Sequence, residues 1–243
     1  MKMNAPIVFV GPSLTREDRA IFPEVRFLAP AAQGDILRCI VKKPEAIGLI
    51  DGYFGDRLAV HQKEILEAME AGIPVLGGGS MGALRAVELA RYGMQGVGAI
   101  FEAYRSGEIN SDADVAVTHG PEELGFVATS ISMVDVRATI AALRRRGIVS
   151  NSEQELILQS AASIHFSERT WSEIAGGVHQ TGRELLRLQK ILKESSIQQK
   201  RLDAIELVRS LKGTLAQLEP TRTPPPMTSY YQAIRSRAFK GNF

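Results

Sequence analysis

The sequence predicts an α/β fold: a mainly parallel sheet flanked by helices, followed by an all-helical C-terminal part. Three observations predict it. Short apolar runs recur at residues 6–10, 25–28, 46–50 and 73–77, too short for helices and rich in Val and Ile. Segments with helical spacing separate them, the alternation that builds a parallel sheet covered on both faces. From Met133 onward the strand signal stops and helical spacing takes over.

In order, residues 6–10 form a buried strand that ends at Gly11-Pro12-Ser13, a turn and helix start followed by Glu17 and Asp18. A second strand, 25–28, is stopped by Pro30, and a helix over 34–43 ends before Pro44. The third strand, 46–50, runs into the loop 51–56. A helix over about 58–71 carries Ile65, Leu66 and Met69 on one face and ends at Gly72. The fourth strand passes through glycines into a segment rich in Ala and Leu. Residues 97–100 and a short helix over 101–107 follow, then a polar loop with Asp112 and Asp114 leading to His119.

Helices are expected over 133–146, 152–165, 167–175 and 181–218, and a proline-rich linker over 219–226. The last segment, 227–243, mixes Tyr230, Tyr231, Phe239 and Phe243 with basic residues and is expected to pack back on the body. The expected domains are 1–130, the α/β core; 131–219, the helical part; and 220–243, linker and tail.

Composition excludes several classes. At 243 residues and 44% hydrophobic content the chain is globular, and a net charge of +2 argues for neither nucleic acid nor an anionic membrane. The single cysteine, Cys39, sits in an apolar helical pattern and reads as a buried structural thiol. No apolar run approaches the roughly 18 residues of a membrane span, and the first residues lack the apolar core of a signal peptide. A cytoplasmic protein is expected. Asp112, Asp114 and His119 have no metal-specific spacing, so neither metal nor cofactor is expected.

The chemistry concentrates at residues 77–82. Gly78-Gly79-Ser80-Met81-Gly82 fits G-x-S-x-G, a strand-to-helix turn that presents a serine hydroxyl beside backbone amides. Gly77, Gly79 and Gly82 also fit G-x-G-x-x-G, but here the motif follows the fourth strand and no acidic strand end follows it, which argues against a dinucleotide. The plainest alternative is a glycine turn whose serine caps its own helix. Ligands of parallel sheets bind at the carboxyl ends of the strands. The loops 51–56 and 77–82 leave there, and the helix between them brings His61, Gln62 and Lys63 to the same edge. A serine needs a base to lose its proton, and Lys63, His61 and His119 are the candidates, with Gly79 and Met81 supplying amides for an oxyanion.

Taken together, Ile50-Asp51-Gly52-Tyr53-Phe54, Lys63-Glu64-Ile65-Leu66, Pro74-Val75-Leu76-Gly77, Ser80-Met81-Gly82-Ala83-Leu84-Arg85-Ala86 and Asp112-x-Asp114-Val115-Ala116-Val117-x-His119-Gly120 resemble the TfuA family. The resemblance implies a companion of YcaO enzymes, which convert peptide amides into thioamides with ATP. It implies hydrolysis of a thiocarboxylated, ubiquitin-like ThiS-type sulfur carrier by a Ser–Lys pair, and help to YcaO in holding the precursor peptide. By matching positions the nucleophile is Ser80 and the base Lys63. Gly79, Met81 and Gly82 form the turn, and Asp51, Gly52, Tyr53, Phe54, His61 and His119 are the expected substrate-binding residues. The chain departs from the family at Gln62, where many members have histidine before the lysine; here the histidine stands one place earlier. The rival reading is a non-catalytic adaptor that tethers peptide, carrier and YcaO.

Overall fold

The structure, a computed structural model, describes residues 5–53, 55, 57–214 and 224–240. Five strands form one sheet: β1 (Ile7–Phe9), β2 (Arg26–Leu28), β3 (Ile47–Leu49), β4 (Val75–Gly78) and β5 (Gln95–Val97). All pairs are parallel and the order is β2-β1-β3-β4-β5. Every residue of β1, β3 and β4 is buried, which is why these runs are apolar without alternation. The chain turns from one side of β1 to the other between β2 and β3. The crevice at the carboxyl ends of β1 and β3 is therefore the topological switch point.

The crossovers are α1 (Arg16–Ala20), α2 (Asp35–Ile40), α3 (Gln62–Glu70) and α4 (Met81–Leu89), with α5 (Ala99–Ser106) after β5. Local chemistry starts them. Thr15 caps α1 in a reciprocal box with Asp18, two residues beyond the expected start at Ser13. His61 caps α3 in the same way with Glu64. Helix α5 begins before the expected residue 101 because Gly98, at φ +94°, ends β5 and leaves Ala99 free to begin the helix.

The contacts divide the chain into two compact units, residues 1–108 with 201–243, and residues 109–200. From the sequence the boundaries are expected at 130 and 219. The reason for the difference is α10 (Gln199–Thr214), which returns to the sheet. Ala204, Leu207, Val208 and Leu211 join Val8, Leu14, Phe22, Ile50 and Leu76 in one core. Arg201 clasps the buried Asp18 through Nε at 2.7 Å and holds its carboxyl below the ordinary value. Asp203 accepts the Ile100 amide at 2.7 Å, at the start of α5. The final helix, α11 (Ser229–Lys240), also belongs to this unit, as expected of a tail that packs back. Its Tyr231, Ile234 and Ala238 bury against Leu37 of α2. Cys39 of α2 is buried as well, and burial pushes its thiol up to about 11.

The unit 109–200 has its own core, built by α6 (Met133–Arg145), α7 (Asn151–Ser163), α8 (Trp171–Val178) and α9 (Gly182–Glu194). The helix expected over 181–218 is broken between α9 and α10. There the Ile197 amide turns to Thr139 Oγ1 at 2.9 Å and the Lys200 amide to Asp135 Oδ1 at 3.1 Å. Part of the expected proline-rich linker, 219–223, lies outside the described residues. Among the described residues no helix is long and apolar enough to cross a membrane.

Candidate functional site

The turn between β4 and α4 is built by close backbone packing. A Cβ on Gly82 would stand 1.8 Å from the Leu49 carbonyl oxygen, one on Gly77 2.1 Å from the Gly82 oxygen, and one on Gly78 2.5 Å from the Val97 oxygen. Those three glycines therefore let α4 and the neighbouring strands approach; they do not open a path from solvent. Gly79 is glycine for another reason, its φ of +70°. The left-handed residue of this turn is thus Gly79, while Ser80 keeps a negative φ.

Ser80 is the N-cap residue of α4, only 6% exposed, yet its hydroxyl makes no capping bond. The plain capping alternative is therefore not realised. The Ser80 amide donates to Gly78 O at 2.7 Å and the Gly82 amide to Ile50 O at 3.0 Å. The amides of Gly79 and Met81 flank Ser80 on either side. These are the two nominated from sequence for an oxyanion.

Asp51, expected to bind substrate, is 2% exposed and spans the switch point. Its Oδ2 accepts the amides of Gly11 (2.9 Å) and Ser13 (3.0 Å), and its Oδ1 the Ser13 hydroxyl (2.7 Å). Those bonds give it a structural occupation at the carboxyl ends of β1 and β3. Next to it, Gly52 bridges to Ala31, and a Cβ there would meet the terminal methyl of Met81 at 2.1 Å. The 51–53 loop and the serine turn are therefore in contact through Gly52 and Met81. The Tyr53 amide donates to Ala31 O at 3.2 Å, and the Arg57 guanidinium lies 4.3 Å from the Tyr53 ring centre. Phe54, expected beside it, lies outside the described residues.

The start of α3 holds the other candidates. His61 accepts the Lys63 amide through Nδ1 at 3.2 Å, which requires that nitrogen to be unprotonated. Burial, then the charges of Lys63 and Arg85, push its pKa below the ordinary value. Its ring lies about as far from Tyr230 (6.0 Å) as from Tyr231 (5.9 Å). Successive residues of the helix face different neighbours, as a step of about 100° per residue requires. Gln62 Nε2 donates to Glu88 of α4 at 3.1 Å, and the Glu64 oxygens accept the His61 and Gly34 amides. Lys63 faces neither: its Nζ donates to Thr228 Oγ1 at 3.0 Å and stands 5.6 Å from the Tyr231 ring centre. The carboxyl edge carries Lys63 as expected, but its hydrogen-bond partner is the tail, not Ser80.

His119 lies in the unit 109–200, where its Nδ1 is 2.8 Å from Gly120 O and its ring meets Phe126 edge-on at 5.5 Å. Asp112 and Asp114 form a single short turn capped by Ser111, with Arg137 3.4 Å from Asp114. Among the described residues no group of three or more His, Cys, Asp or Glu side chains is placed to hold a metal ion.

Two sets of contacts are not expected from the sequence. The Gly11–Ser13 loop was read only as a turn and helix start; the strand order, which puts β1 beside β3, is the signal that brings it to Asp51. The pairing of Thr228 and Tyr231 with Lys63 carries no local signal, since they reach it across 165 and 168 residues of chain.

Residues 51–170 match the family model of TfuA-like proteins, close to half of the 243 residues. No curated protein matches the chain. The matched stretch contains Asp51, Lys63, Ser80 and His119, whereas Ser13 and α11 lie outside it. Over residues 51–170 the chain belongs to the TfuA-like family.

Proposed function

We propose that the protein serves a YcaO-dependent thioamidation system by hydrolysing a thiocarboxylated, ThiS-like carrier to release sulfide, and that it assists YcaO in holding the precursor peptide. The TfuA-like match points to the thioamidation role. The observation that supports hydrolysis is the Ser80 hydroxyl at the β4–α4 turn, which makes no capping bond and is flanked by the amides of Gly79 and Met81. A hydroxyl with preorganised donors beside it suits acyl transfer, because the donors stabilise the oxygen that becomes negative as the carbonyl is attacked.

In this reading Ser80 Oγ attacks the acyl carbon of the carrier's C-terminal thiocarboxylate while Lys63, neutral at that moment, takes the hydroxyl proton. The carbon–sulfur bond breaks, and sulfide leaves carrying the proton. Water then cleaves the Ser80 ester, restoring the hydroxyl and leaving a carboxylate on the carrier. One observation favours the adaptor instead: Lys63 Nζ is bonded to Thr228. The two readings separate in a reconstituted assay with purified thiocarboxylated carrier. Sulfide should appear with the intact protein and fall about 100- to 10,000-fold in Lys63→Arg, because guanidinium stays charged and cannot act as a base. Full sulfide release by Lys63→Arg would remove the lysine from the mechanism, and full thioamidation without sulfide release would favour the adaptor.

A further inference from the structure

The tail is attached to α3 in two different ways. Its anchor is buried: Tyr231, Ile234 and Ala238 are almost fully covered against Leu37, with Ile40 packed alongside. Polar bonds reinforce that anchor. Tyr231 Oη donates to Glu67 Oε2 at 2.6 Å, with the Lys63 carbonyl also in reach at 3.0 Å, and Arg235 Nε donates to Glu67 Oε1 at 2.9 Å. The lead into α11 and its first turn are different. Met227, Thr228 and Tyr230 are exposed, and Tyr230 touches the body through a bond from Gln33 Nε2 at 3.2 Å. Thr228 is nevertheless doubly used, since its Oγ1 accepts the Tyr231 amide at 3.3 Å and Lys63 Nζ at 3.0 Å.

We propose that the lead into α11 and its first turn form a latch on Lys63: Thr228 holds the amine against the tail, and opening of that turn, with the Tyr231–Ile234–Ala238 anchor still seated, frees the amine to reach Ser80. The proposal rests on the reading of Lys63 as the base. Its geometry favours a latch over a productive support. The acceptor that holds the amine belongs to the tail, the helix that carries Lys63 presents Gln62 rather than Lys63 to α4, and the ring of Tyr231 borders the amine. A lysine side chain has four rotatable bonds, so release at Nζ alone moves the charge by several ångströms without moving α3. The exposed turn also needs little to open it, because helix ends fray while buried anchors hold. One hydrogen bond to a charged donor biases such a two-state equilibrium about tenfold.

Thr228→Val keeps the volume of the side chain and removes the acceptor. Two measurements are made on it. The first is the rate at which a small amine-acylating reagent modifies Lys63, followed by mass spectrometry in a Ser80→Ala background with and without Thr228→Val. The second is sulfide release from the thiocarboxylated carrier by the corresponding proteins that retain Ser80. The latch predicts that Thr228→Val raises Lys63 acylation by up to about tenfold and raises sulfide release in the same direction. A protein truncated after Pro226 checks the result by removing latch and anchor together, and its folding is verified by circular dichroism. Unchanged acylation of Lys63 in a folded Thr228→Val protein overturns the latch. Faster acylation with slower sulfide release also overturns it, because Thr228 then holds the amine productively. Faster acylation with no sulfide from any of the proteins leaves the latch standing and instead removes the thiocarboxylate reaction.

Discussion

Asp51 and Ser13 meet across the switch point, the carboxylate taking both the amide and the hydroxyl of the serine while also accepting the Gly11 amide. The third strand thereby fixes the loop that follows the first. Asp51→Asn leaves one carbonyl oxygen for the two amides and an NH2 against the Ser13 hydroxyl, and it removes the charge that strengthens these bonds, so a loss of about 1–3 kcal/mol in urea unfolding is expected. Ser13→Ala, which removes only the hydroxyl, should cost about 1 kcal/mol. Equal stability of Asp51→Asn and the parent protein would show that the buried carboxylate is not structural and would return it to the list of ligand-binding groups.

The glycines of the serine turn have separable reasons. Gly82→Ala drives a Cβ onto the Leu49 carbonyl, a rigid backbone atom, and is expected to lower stability by about 3 kcal/mol or more. Gly79→Ala meets the strain of φ +70° and should cost about 1–2 kcal/mol. Thermal unfolding of the two variants should rank them in that order.

The anchor of the tail is testable by size. Tyr231→Phe loses only the hydroxyl bonded to Glu67, a change of about 1–2 kcal/mol, whereas Tyr231→Ala leaves a cavity against Leu37 and should cost about 3–5 kcal/mol. If Tyr231→Ala unfolds at the same urea concentration as the parent, α11 is not seated as described.

Glu64 gives stability a dependence on pH. Burial pushes its carboxyl from 4.5 to about 7, against the opposing pull of the Gly34 and His61 amides. The folded value lies above the unfolded one, so folding favours the protonated form. That contribution is complete below about pH 4.5 and is lost as pH rises through about 7. Glu64→Gln removes the titration. From pH 4.5 to 8 the difference in stability should therefore move toward the variant by about 1–3 kcal/mol, whatever constant offset the amide introduces. Comparing the two proteins also cancels His61. Its lowered pKa acts with the other sign, favouring folding at higher pH and losing that contribution as pH falls below 6.5. A difference that stays flat over this range contradicts the burial argument.

The legible parts of this chain were those written locally. Apolar runs without alternation announced β1, β3 and β4, because burial on both faces leaves no polar side to show. The serine turn announced itself because only glycine tolerates the Leu49 and Val97 oxygens at such distances. What stayed hidden was written across the chain. Leu207 and Val208 look like any helix face until α10 returns to the sheet, and Thr228 has no pattern that names Lys63 as its partner. Lys63 itself was placed on the correct edge from topology, but the rotation of α3 that gives Gln62 to Glu88 depends on where His61 caps the helix.

If Ser80 is the nucleophile, the carrier acylates it. Rapid acid quenching of the protein with thiocarboxylated carrier, followed by digestion and mass spectrometry, measures this directly. The expected product is the carrier's C-terminal residue joined to the peptide containing Ser80. In Ser80→Ala intact thiocarboxylate, no adduct and no sulfide are expected. Sulfide released at the parental rate by Ser80→Ala would contradict this role of Ser80.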